Sequence, residues 1–182
     1  MKLRIFIAAG VVLLSLCAFL IRFYLLPDIQ PVSGGDELYS CGYVPYADSF
    51  LRVDMDGKVL SVTDAADGDL PVLEGIKFTR FTIGDYLRTE NNEAFKTTAI
   101  LIKLFKKYEL GDEFISKIDI ANLNDIHLYT KNIDVAFGSV KDADEKIRTL
   151  KEIIANLRVA EDVKGLLDIR VIGRQYIFSV LT

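Results

Sequence analysis

From Ile5 to Leu26 the chain reads IFIAAGVVLLSLCAFLIRFYLL, 22 residues with a single charge at Arg22. A helix rises about 1.5 Å per residue, and about 20 apolar residues cross a bilayer core. The run is therefore expected to be one transmembrane helix. Ile5–Ile21 alone reaches about 26 Å and leaves Arg22 to snorkel at the interface. Lys2 and Arg4 precede the run, and after Arg22 the next basic residue is Arg52. The positive-inside rule then puts residues 1–4 in the cytoplasm and residues 27–182 outside, a single-pass type II arrangement. The rival is a cleaved signal peptide, which wants a shorter apolar core and an A-x-A-like site. Pro27-Asp28-Ile29 does not supply that site, and Leu16 before Cys17 fits a lipoprotein cleavage site poorly.

Beyond Leu26 the chain carries 19 basic and 26 acidic residues, a net charge of −7. That balance argues against a nucleic-acid or anionic-lipid surface for the domain as a whole. Cys17 lies in the apolar run and Cys41 outside it, so no disulfide framework is expected and packing alone must hold the domain. Residues 27–50, with Pro27, Pro31, Gly34, Gly35, Gly42 and Pro45, read as a linker in which Tyr39, Tyr43, Tyr46 and Phe50 give some means of packing as an extended strand. Residues 51–182 read as a mostly antiparallel β domain with two amphipathic helices, an α+β fold. Strands are expected at Leu51–Asp54 and Lys58–Val62 around a Met55-Asp56-Gly57 turn. Further strands are expected at Leu70–Leu73, Ile76–Phe78, Phe114–Ala121, Ile126–Tyr129 and Ile133–Phe137, then at Leu166–Ile172 and Gln175–Leu181 around Gly173-Arg174. The first helix is capped by Asn91 or Asn92 and runs to about Tyr108, with a stripe of Leu101, Leu104, Phe105 and Tyr108. The second starts at Asp142 with Glu145 three residues on, and carries Ile147, Leu150, Ile154 and Leu157.

Chemistry-bearing patterns are sparse. His127 is the only histidine and alternates with Ile126 and Leu128, which suits the solvent face of a strand better than a catalytic role. Asp54-Met55-Asp56-Gly57 lacks the later ligands of a calcium loop and reads as a tight turn. Asp64, Asp67 and Asp69 read as a solvated loop. With no nucleophile motif, metal-ligand cluster or acid–base pair, no catalytic residue, metal or cofactor is expected. The last strand is different. Tyr176, Phe178 and Val180 alternate with Ile177, Ser179 and Leu181, so it is apolar on both faces, without the Lys, Pro or bulge that guards an edge. Two readings stand: a strand paired on both sides inside the sheet, or an edge that accepts a partner strand.

Several motifs occur in a telling order: Val53-Asp54-Met55-Asp56-Gly57-Lys58-Val59, Leu70-Pro71-Val72-Leu73-Glu74-Gly75, Ile126-His127-Leu128-Tyr129-Thr130, Phe137-Gly138 before Glu145-Lys146-Ile147 and Leu150, and Leu167-Asp168-Ile169-Arg170. In this order, behind one anchor, they resemble the FtsQ/DivIB family of bacterial cell-division proteins. The resemblance departs at one point. The family usually carries a POTRA domain between anchor and β domain, and the interval from Leu26 to Leu51 is too short for one; Tyr43–Asp54 is at most a remnant of its last strand. The resemblance implies a divisome scaffold of the septum. Its implied partners are FtsL-like and DivIC/FtsB-like bitopic coiled-coil proteins, bound by strand addition onto Gln175, Tyr176, Ile177, Phe178, Ser179, Val180 and Leu181. Lys146, at the E-K position, is the candidate for a charge contact with an acidic partner; a helix-surface ion pair is the alternative. Another bitopic assembly protein, such as a sporulation-channel component, or a membrane-anchored cell-wall enzyme are the competing functions.

Overall fold

Asp54 shapes the second hairpin turn of the domain. In a computed structural model that describes residues 40–66, 70–110, 115–156, 164–173 and 176–180, its carboxylate accepts the amides of Asp56 at 2.9 Å and Lys58 at 2.8 Å. Gly57 closes the turn at φ 84°, and a Cβ there would stand 2.6 Å from the Phe95 ring. The turn joins β2 (Ser49–Asp54) to β3 (Val59–Thr63) in an antiparallel hairpin.

β1 (Ser40–Tyr46) pairs with the other side of β2. The domain thus begins earlier than Leu51, inside the segment expected to be linker, and β1 and β2 belong to the same sheet as everything that follows. β4 (Val72–Glu74) and β5 (Lys117–Asp119) follow in parallel, with α1 (Glu93–Lys107) crossing between them. β6 (Ile126–Tyr129) and β7 (Ile133–Gly138) form a hairpin, α2 (Ala143–Asn156) crosses back, and β8 (Gly165–Asp168) lies parallel to β7. β9 (Ile177–Val180) returns antiparallel to β8. The sheet order is β3-β2-β1-β4-β5-β6-β7-β8-β9.

The fold is α+β as expected, but the sheet is mixed. Five neighbouring pairs are antiparallel and three are parallel. Two of the parallel joints need the helices as crossovers. The third, β1 beside β4, is reached after the β2–β3 hairpin. Ile76–Phe78, expected as a strand, forms only an isolated bridge from Phe78 to Thr89.

One core runs between the sheet and its helices, with Leu51, Val53, Leu73, Ile118, Leu128, Val135, Phe137 and Leu167 meeting Phe95, Leu101, Phe105, Ile147 and Leu150. Leu101 and Phe105 are buried as the α1 stripe anticipated. Leu104 and Tyr108 are half-buried, and Ile102 takes a core position instead. The carboxamide of Asn91 accepts the Glu93 amide at 2.9 Å, while Asn92 occupies the cap position without a side-chain cap bond. Asp144 ties the helices together by accepting from Lys107 and from the Tyr108 hydroxyl. Residues 5–26 and Leu157 lie outside the described residues. Among the described residues, no helix is long and apolar enough to cross a membrane.

Candidate partner-binding edge

Residue pairing fixes which way β9 faces. Leu167 lies opposite Phe178 and Asp168 opposite Ile177. Leu167 is a core residue, so Phe178 shares its side of the sheet, while Ile177 and Ser179 share the opposite side with Leu166 and Asp168. The Phe178 ring rests on Gly165 so closely that a Cβ there would be 2.0 Å from its tip. Tyr176 and Phe178 are half-buried and pack against the core. These two rings therefore hold β9 to its own domain, which corrects the expectation that they supply the area offered to a partner. The exposed apolar side chains of the strand are Ile177, at 64%, and Val180, at 59%. Gln175 and Leu181, also expected at the edge, lie outside the described residues.

Among the described residues β9 pairs with β8 alone, so it ends the sheet rather than lying inside it. The sheet's other end is treated differently. There the β3 edge is met by a loop: the Val59 amide donates to the Asp85 carbonyl at 2.9 Å, and the Gly84 amide donates to the Val59 carbonyl at 2.8 Å. These bonds cover the Val59 end of β3 and block strand addition there.

Lys146 does not sit where a partner charge would reach it. It is 4% exposed, and its ammonium donates at 2.9 Å to the carbonyls of Phe137 and of Ser139 while lying over the Phe137 ring. Burial lowers its pKa, and the nearby Asp142 opposes that shift. Neither role anticipated for Lys146, partner contact or surface ion pair, matches this geometry. The lysine instead binds the last carbonyl groups of the β7 end, where Gly138 turns at φ 75°.

The charges beside β9 come from elsewhere. The Arg170 guanidinium grips Asp168, with Nε at 3.1 Å from both carboxylate oxygens, and holds the Asp168 carboxyl below its usual range. Arg170 also approaches Asp125 at 3.8 Å. His127 lies half-buried on the same helix-free side, with Nδ1 at 2.7 Å from Asp134 and the ring stacked on Tyr129. Its place on the non-core face agrees with the alternation in β6, and its ring is engaged by a carboxylate. The Asp168–Arg170 fork was quotable as part of a motif, but only the β8–β9 pairing puts it next to the edge. No group of three potential metal ligands exists among the described residues.

The family model for the C-terminal domain of cell division protein FtsQ/DivIB matches residues 42–170, most of the chain. The chain belongs to the FtsQ/DivIB family. It is thus a cell-division protein, and the matched segment takes in most of β1, ahead of Leu51. Comparisons with curated proteins and with solved structures return no match.

Proposed function

We propose that this FtsQ/DivIB member is a non-enzymatic scaffold of the division septum, anchored by residues 5–26 with its β domain outside the cytoplasmic membrane. Its β9 edge takes a strand from a small bitopic division protein of the FtsL-like or DivIC/FtsB-like kind. One observation carries this reading: among the described residues β9 has a neighbour on one side only and exposes Ile177 and Val180, whereas residues 84–87 bond to the Val59 end of the opposite edge. An added strand gains main-chain hydrogen bonds, and the two exposed side chains supply apolar contact on either face. The Asp168–Arg170 pair beside Ile177 offers a polar rim. Family membership favours division over the sporulation-channel and cell-wall-enzyme alternatives. No cofactor is needed for strand addition.

The test places gatekeepers on the edge. Ile177→Lys and Val180→Lys in the full chain keep the backbone and leave Phe178 on Gly165. Both should leave thermal unfolding unchanged and cut capture of purified DivIC/FtsB-like and FtsL-like partners by tenfold or more, about 1.4 kcal/mol. Unchanged capture by the double variant would remove β9 as the site.

A further inference from the structure

At the covered end of the sheet, a groove of about 490 Å³ runs between α1, the 84–87 loop and the β2–β3 turn. Its floor is apolar, from Met55, Leu87 and Phe95. Its rim exposes Tyr86 at 63% and Ile100 at 43%. Lys96 and Lys103, two turns apart on α1, flank Ile100 on the helix wall; Lys96 also pairs with Glu93 at 2.7 Å, and Asp56 stands on the turn wall.

The helix and loop walls of this groove come from a basic stretch of the chain. Residues 76–107 hold seven basic and three acidic residues, a net +4, whereas the rest of residues 40–182 holds 12 basic and 20 acidic, a net −8. Lys96 and Lys103 over an apolar floor, against one carboxylate at Asp56 and on a domain otherwise negative, favour an occupant with both acidic and apolar side chains. The concave shape favours a chain segment over the plane of a lipid surface. We infer that this groove is a second docking site, for an acidic amphipathic segment of a protein partner. Leucine- or phenylalanine-type side chains would enter between Tyr86 and Ile100, and carboxylates would meet Lys96 and Lys103. The site lies at the β3 end of the sheet and β9 at the other, so the domain could hold two partners at once. Nothing in this inference requires β9 to be a binding edge.

The full chain in phosphatidylcholine nanodiscs provides the test. A fluorescein-labelled helical peptide with leucine and phenylalanine on one face and glutamate on the other is titrated by anisotropy. A copy with lysine in place of glutamate and phosphatidylglycerol vesicles serve as competing probes. The glutamate peptide should bind, weaken with added salt, and lose tenfold or more in affinity against Lys96→Glu/Lys103→Glu and against Tyr86→Ser/Ile100→Ser. These side chains are exposed, so circular dichroism and melting should match the parent. Val180→Lys should bind the peptide as the parent does. The inference fails if the lysine peptide binds equally well or if the groove variants bind unchanged. It also fails if the glutamate peptide does not bind, or if the vesicles are held through these residues in its place.

Discussion

Gly75 turns the chain out of β4 at φ 85°, and a Cβ there would lie 2.3 Å from the backbone nitrogen of Ala121. Both the dihedral and the contact exclude a side chain, and backbone cannot yield as a flexible side chain would. Gly75→Ala should therefore cost about 2 kcal/mol or more, read as a shift in the urea midpoint. Cys41 makes a different demand. It is fully buried, its thiol donates to the Asp54 carbonyl at 3.0 Å, and burial pushes its pKa from 9.0 up to about 12. Folding thus favours the neutral thiol. The stability it contributes is present below pH 9.0 and drains away as pH rises toward about 12. Urea midpoints should fall across that window, less steeply in Cys41→Ala. A Cys41→Ala variant whose midpoint falls with the parent's slope would place the alkaline loss in other groups. The motif containing Lys146 was visible in the sequence, but its burial was not: a lysine in a helix next to Glu145 reads as surface until the loop carbonyls it binds are placed in space.

Helix elements were legible where periodicity is long and their ends less so. α1 stops because Glu109 adopts φ 52° with its amide on Lys106, while the Leu110 amide returns to Phe105 at 2.9 Å. This paired capping pattern usually employs glycine; here Glu109 takes that place, just beyond the expected end near Tyr108. In α2, Ile147 and Leu150 are fully buried. Leu150→Ala should cost about 2–5 kcal/mol in chemical denaturation; a cost under 1 kcal/mol would mean that the stripe is not core. β1 was legible only as an extended piece of the linker, because Gly42 and Pro45 punctuate it. Gly42 is there for a tertiary reason, since a Cβ would stand 2.7 Å from both the Leu73 side chain and the Pro71 carbonyl. At the other end, Phe178 covers Gly165, the aromatic ring compensating for a missing side chain across the pair. Phe178→Ala should loosen β9 ahead of the rest, by about 1–2 kcal/mol from lost apolar burial. Hydrogen exchange should show amides 177–180 opening faster while β6 and β7 amides keep their protection; a uniform loss across the sheet would mean that β9 folds as part of the core.

At the scale of the molecule, the sheet of nine described strands ends differently on its two sides: a loop bonds to the Val59 end of β3, while among the described residues β9 pairs with β8 alone. The proposed strand addition at β9 uses the end of the sheet away from β3. The proposed topology predicts that a reporter active only outside the cytoplasmic membrane is active when fused after Thr182, and that the mature protein keeps Lys2 and Arg4. A mature N-terminus beyond residue 20 would instead mark the apolar run as a cleaved signal.

Local signals in the chain sufficed for the α+β class, the β2–β3 and β6–β7 hairpins, the two helices and the family resemblance, because each depends on residues close together in sequence. Decisions that depend on distant residues came only with the tertiary structure. Two of the three parallel joints arise from helices folding back across the sheet, and the third from the return after the β2–β3 hairpin. The rings of Tyr176 and Phe178 turn inward because β8 presents Gly165 and Leu167 to that face, which leaves Ile177 and Val180 outside. An edge is a property of what does not lie beside a strand, and no pattern within seven residues can state it.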